Sequence, residues 1–240
     1  MTAEVAEQPV PELHHSHRDV TGGWLRPATF GVMDGLVSNF ALVAGVVGGG
    51  ASGRVVLVTG LAGLVAGACS MASGEFTSVS SQTELIKAEI AVEQRELEIH
   101  PKEEERELAL MYEAKGLRPE LAAEVARELT ANPKVALDVH VREELGVDPN
   151  DLPSPWTAAG SSFAAFAIGA LIPLIPFVFG AGSVLPALLL SALGLVVTGG
   201  IVGKITARPF WYGGGRQLLL GSLSAAVTFA IGLAVGTGLS

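Results

Sequence analysis

From Leu152 to Gly203 the chain runs 52 residues without an aspartate, glutamate, lysine or arginine. Three further runs, 35–53, 55–74 and 217–240, are equally free of charge. A helix needs ~20 residues at ~1.5 Å each to cross ~30 Å of hydrocarbon, so each shorter run supplies about one crossing and the long run two. The "FGAGSVLP" stretch at 179–186 supplies the turn that divides the long run. Five spans are predicted, at 28–49, 55–79, 156–179, 184–204 and 215–238. The composition agrees: 49% of residues are hydrophobic, only 16% are charged, and the mean hydropathy is +0.47. The first apolar run follows a polar tail and has no small-residue cleavage site behind a short apolar core, so it is expected to remain in the mature protein. The single cysteine, Cys69, lies within span two, excludes an intrachain disulfide and is expected to be a small packing residue.

The basic residues beside the spans set an orientation. Arg18 and Arg26 precede span one, and Lys204, Arg208 and Arg216 lie between spans four and five, which is the same side of a five-span chain. The opposite side holds only Arg54, in the connection "GGGASGR". The N-terminus is therefore expected in the cytoplasm and the C-terminus outside. Trp24, Trp156, Trp211 and Tyr212 fall at span ends and read as interfacial anchors.

Against this apolar background the acidic residues are concentrated. Fifteen of nineteen glutamates lie between Glu84 and Glu144, in the segment that this orientation places in the cytoplasm. From Glu75 to His100 there is neither glycine nor proline, so span two is expected to continue as one helix beyond the membrane surface. Further helices are predicted at Pro101–Lys115, Pro119–Thr130 and Pro133–Leu145. Each opens on proline in its first turn, and the first and last are closed by Gly116 and Gly146. The organisation read from the chain is all-α, an integral membrane protein of five transmembrane helices. It has an N-terminal cytoplasmic tail (1–27), two spans (28–79), a helical cytoplasmic metal-binding domain (80–151) and three more spans (152–240).

Helical spacing places the carboxylates on faces. Glu93 and Glu96 are three apart, as are Glu104 and Glu107, while His140 and Glu144 are four apart. Three helices thus offer oxygen and imidazole donors to a shared centre, a set suited to iron(II) or manganese(II) rather than copper(I). Glutamate-rich helices are also commonly solvated faces, and Arg95, Lys102 and Arg106 are near enough in sequence to pair with them. Acids outnumber bases over 84–107, however, and like charges packed that closely repel unless a cation joins them.

Asp34 lies about two turns into span one, where an ionisable side chain costs at least ~2.5 kcal/mol and marks a functional position by default. Met71 falls at a similar height on the antiparallel second span, and Glu75 follows it by one turn on the same face. A carboxylate, a thioether and a second carboxylate would line one path. Met71 taken alone reads as lipid or core packing, and Glu75 equally as an interfacial residue.

The stretches "MDGLVSNFALVAGV" (33–46), "AGLVAGACSMASGEFTSVSSQTE" (62–84), the acidic helices and "RQLLLGSLSAAVTFAIG" (216–232) together resemble the vacuolar iron transporter family. The resemblance covers about residues 18–240. It implies a five-span homodimer with the transport path between subunits and a cytoplasmic metal-binding domain, exchanging iron(II) or related ions for protons. Asp34 and Met71 resemble the family's pathway residues, and Glu93, Glu96, Glu104, Glu107 and Glu144 its metal-ligand glutamates. Two departures stand out. Gly63 occupies a place where some members carry another carboxylate, and His140 with Val141 replaces paired methionines, which hardens the site and extends its range to manganese, cobalt or zinc.

The expected function is export of Fe2+, with Mn2+, Co2+ and Zn2+ as further candidates, by exchange with protons. The metal is cargo, and no resident cofactor is implied. The compact length and lack of an organelle-targeting segment suggest a bacterial member of the family in the inner membrane. The alternative is a membrane-anchored metal sensor or buffer, which would leave Asp34 without a task; a di-metal oxidase would want a Glu-x-x-His pair that the acidic helices lack. A nucleotide-binding loop is excluded, since no Gly-Lys-Ser/Thr follows "GVVGGG", and no nucleic-acid partner is suggested. The "HHSH" tract at 14–17 is a weaker metal-binding candidate in a polar tail.

Overall fold

The computed structural model describes residues 23–181 and 183–238; the His14–His17 tract and Arg18 lie outside the described residues. Among those residues the fold is all-helical, in the order α1 (Leu25–Gly48), α2 (Gly53–Ile99), α3 (Pro101–Ala114), α4 (Pro119–Thr130), α5 (Pro133–His140), α6 (Pro155–Leu171), α7 (Ile175–Val178), α8 (Leu185–Ile205) and α9 (Phe210–Gly238). Five helical stretches are long and apolar enough to cross a membrane: α1, the first part of α2, the α6–α7 segment, α8 and α9.

Helix boundaries follow local chemistry. Helix α2 runs unbroken for 47 residues and ends at the His100–Pro101 step, because a helix interior does not tolerate the ring and missing N–H of proline. Helices α3, α4 and α5 each start on proline, and Asn132 caps α5 by accepting a hydrogen bond from the Lys134 N–H at 3.0 Å. The last predicted acidic helix is less regular than its sequence suggested. It is α-helical to His140, continues as a π turn over Val141–Leu145, and closes on Gly146 in the left-handed region. The third span also departs from a single helix: Pro173 and Pro176 convert 172–174 to a 3₁₀ turn and leave α7 as a short cap.

Helix α1 is the centre of the membrane bundle. Leu36, Phe40 and Ala44 pack with Leu195 of α8 and Ala225 of α9, while Val43 meets Val56, Leu174, Phe177 and Ala187. With hydrocarbon on the outside, burial of apolar surface gives little reason for helices to associate, so close packing and interhelical hydrogen bonds must do so. Both are present. A Cβ on Gly35 would overlap the Phe166 carbonyl of α6, and one on Gly232 of α9 would overlap the Gly45 carbonyl. The Thr228 hydroxyl donates to the Ala41 carbonyl at 2.6 Å, and the Asn39 amide donates to the Ala170 carbonyl at 2.6 Å. Gly74 of α2 faces nothing within 4 Å, and Cys69 is exposed on α2 rather than packed.

A contrast between two glycines tests this packing. Gly35→Ala is expected to destabilise the detergent-solubilised protein by ~1–3 kcal/mol or more through overpacking of α1 against α6. Gly160→Ala, with open space around the added methyl, is expected to be neutral or stabilising by up to ~1 kcal/mol. Thermal unfolding of the two variants checks the ordering.

Candidate functional site

The acidic helices fold back on the far end of α2. Leu108, Ala109 and Ala126 form a small core with Tyr112, Leu129 and Val139 packed on it. Two polar ties hold the return path: Thr83 on α2 donates to the Pro153 carbonyl at 3.1 Å, and Arg142 bridges Asp138 and Asp148 at 2.9 and 2.8 Å. Lys115 at the end of α3 pairs with Glu143 in the π turn. The turn is therefore fixed at both sides, and His140 just before it is fully buried.

Around His140 the chain assembles four donors from four elements. Glu93 of α2, Glu104 of α3, His140 of α5 and Glu144 of the π turn present one ligand atom each, all within 4.8 Å of one another. Nδ1 of His140 lies 3.0 Å from Glu144 Oε1, 3.1 Å from Glu93 Oε1 and 3.7 Å from Glu104 Oε2. One ring nitrogen cannot satisfy three carboxylates. Glu93 Oε1 is in fact buried without a hydrogen-bond partner, as is Nε2 on the far side of the ring. A transition metal with ligands at ~2.0–2.2 Å sets its donors up to ~4.4 Å apart, close to the span seen here. Three carboxylate oxygens and one imidazole nitrogen suit Fe(II), Mn(II), Co(II) or Zn(II), with no sulfur to favour Cu(I).

Charge accumulates in this cluster. Burial, then the charges of Glu144 and Glu104, a hydrogen bond with Glu144 and the charge of Glu107 push the Glu93 carboxyl up to about 7. Glu104 is raised chiefly by burial and by Glu107, with His140 opposing. Among the described residues no salt bridge joins Arg95, Lys102 or Arg106 to these carboxylates, so the solvated-face alternative lacks its counter-ions.

Protons and any metal bound here would therefore compete for the same oxygens. A carboxyl whose folded pKa lies above its unfolded value contributes stability that is full below ~4.5 and lost as pH rises through about 7. The metal-free protein is thus expected to lose this contribution on going to about pH 8, where a divalent ion takes the place of the proton. Metal titrations should show weaker binding at about pH 6 than at about pH 8, and the thermal shift caused by the ion should grow in the same direction.

Two of the sequence candidates sit beside the quartet rather than in it. Glu96 turns to His100, at 2.9 Å, and Glu107 acts on Glu104 and Glu93 through its charge. Each spaced pair on α2 and α3 therefore sends one carboxylate to the centre.

The second site lies between α1 and α2 in the membrane bundle. Asp34, half-buried, opens on a cavity of about 270 Å³ that Ser38, Asn39, Gly63, Ser70 and Met71 also line. Asp34 and Met71 thus meet on one cavity. Glu75 lies toward the acidic helices, with 11% of its side chain exposed and a carboxylate oxygen 3.9 Å from Arg26. Sequence reasoning missed Asn39, Ser38 and Ser70. Ser38 was within reach of it, being four residues from Asp34 on the same helical face, whereas the orientation of Asn39 depends on a carbonyl 131 residues away.

Comparison with known proteins agrees with this architecture. The chain is 37% identical over 223 residues to a vacuolar iron transporter of Acanthamoeba castellanii, covering 91% of this chain and 78% of the relative. It is 30% identical to vacuolar iron transporter 2 of Oryza sativa subsp. japonica, over 92% of each chain. It is also 30% identical to vacuolar iron transporter 1 of Arabidopsis thaliana, over 91% of this chain and 89% of that one. The model of the VIT family matches residues 25–233, and the chain belongs to that family.

Proposed function

We propose that this protein is a transporter, not an enzyme, that moves Fe(II) and related divalent ions, including Mn(II), Co(II) and Zn(II), through the membrane in exchange for protons. The observation that carries the reading is that one continuous helix joins both sites. Met71 at the membrane cavity and Glu93 in the donor quartet lie on α2, ~33 Å apart at ~1.5 Å per residue. The relatives' names, all vacuolar iron transporters, support iron as the cargo.

In this mechanism the helical unit of residues 80–151 is a cytoplasmic domain that gathers cations from dilute solution, since a region lined by one sign of charge focuses the field. Glu75 stands between it and Asp34. In the bundle a divalent ion must replace lost hydration with anionic oxygen, and a second copy of the chain set against the open α1–α2 face would bring two Asp34 carboxylates to one path. Val58, Leu61 and Val65 of α2 are exposed in the single chain and available to such a homodimer, as they are to lipid. Apposed carboxylates without a cation favour a shared proton, so metal and proton alternate at one site. The named relatives are eukaryotic and give no support to a bacterial inner membrane. The direction is accordingly defined by sides, from the face bearing the acidic helices and the N-terminus to the face bearing the C-terminus.

Proton coupling is tested in liposomes carrying a pH dye and a metal dye. Metal entry is expected to drive proton movement the opposite way, and an imposed gradient, acid on the destination side, to accelerate it. Metal flux indifferent to the gradient would remove the exchange step, and binding without flux would leave a sensor or buffer.

A further inference from the structure

The mechanism above leaves one buried polar atom in the membrane cavity unused. Asn39 is 3% exposed, and its carbonyl oxygen Oδ1 is buried without a hydrogen-bond partner. Its amide nitrogen is engaged, donating to the Ala170 carbonyl of α6 at 2.6 Å. That bond also fixes the orientation of the group, because a flipped amide would set oxygen against oxygen. The oxygen therefore points away from α6 and toward α2. There it meets Gly63, at which an added Cβ would stand 3.4 Å from Oδ1. Both residues line the cavity that holds Asp34 and Met71.

An unpartnered acceptor in such a place is costly, and most buried acceptors find a donor or an ordered water. Here the cavity is large enough for several waters or a partly hydrated ion. We propose that the Asn39 carbonyl oxygen is a further ligand for the transported divalent cation, at a second station beyond Asp34. It stands ~7.5 Å farther along α1 from the acidic helices, at ~1.5 Å per residue, beside Gly63 of α2. This inference rests on the transport reading given above.

The chemistry differs between the two stations. Asp34 supplies charge and can exchange a proton for the metal. An amide oxygen supplies a dipole only, suits hard and borderline divalent ions, and takes no proton within the physiological range. Asp34 is the only titratable group lining the cavity among the described residues. The ion is thus held firmly at Asp34 and loosely at Asn39, the order that lets it leave toward the far side.

The experiment uses the full-length protein in liposomes with Mn(II) as the ion and compares wild type, Asn39→Ala and Asn39→Asp. Removal of the oxygen is expected to raise KM for Mn(II) about tenfold, the effect typical of a lost auxiliary metal contact. Addition of charge is expected to lower KM, slow turnover and introduce a second titration into the pH profile. Both substitutions disturb the bond to Ala170, so a purely structural role predicts losses of thermal stability and turnover with KM for Mn(II) unchanged. That result would overturn the inference while leaving the transport reading intact. Absence of Mn(II) flux from wild type would overturn the transport reading and this inference with it.

Discussion

Asp34→Ala is expected to reduce divalent-metal flux roughly 100-fold while leaving metal binding to the acidic quartet at its wild-type level. The membrane penalises one charge by ~2.5–3.5 kcal/mol, and forfeiting that much compensation for a cation in transit corresponds to about two powers of ten. The substitution should not unfold the protein. Asp34 is half-buried beside a cavity and, among the described residues, accepts no bond that holds helices together, unlike Asn39, whose amide ties α1 to α6. Removing a carboxylate from an apolar helix lowers a cost instead of breaking a contact. Flux in vesicles and metal titration of the same preparation separate the two sites, since quartet and cavity are ~33 Å apart along α2.

The opposite pattern is expected at the quartet. His140→Leu keeps a buried apolar volume but removes the one nitrogen donor, leaving three carboxylates whose mutual repulsion only protons relieve. Metal affinity in the helical unit should fall by ~10–100-fold. Flux should suffer mainly at low metal concentration, as a rise in KM with kcat nearly preserved, because in the proposed mechanism the quartet concentrates ions and Asp34 carries them. His140→Met restores a donor but a soft one, and should shift preference away from Mn(II) more than from Fe(II). A His140→Leu variant that binds Mn(II) as wild type does would show that His140 is not a ligand of the bound metal.

Much of the fold was legible because its determinants are local. The charge-free runs mark the spans, and Pro101, Pro119 and Pro133 mark helix starts that depend only on the geometry of one ring. The absence of glycine and proline from Glu75 to His100 announced the long α2. Proline also explains a miss, since Pro173 and Pro176 were available to read as a break in the third span and were absorbed into a single apolar run.

The candidate sites were legible as residue types and illegible as geometry. Glu93 and Glu96 share a helical side, yet only packing of α3 and the π turn against α2 decides that Glu93 faces His140 while Glu96 faces His100. The π turn itself has no plain signature in "VREEL". Asn39 was hidden for the same reason: its proposed value as an oxygen donor arises when a carbonyl of α6 takes its nitrogen and leaves its oxygen turned to Gly63 of α2. Those are properties of three helices brought together, and no window along the sequence contains them.

The most direct measurement is uptake of radioactive manganese(II) or iron(II) into sealed, protein-containing vesicles, with the bound metal of the same protein measured in detergent. Saturable uptake above that of protein-free vesicles is the predicted result. Stoichiometric binding with uptake no faster than in empty vesicles would contradict it and would leave a protein that holds metal at the membrane without moving it.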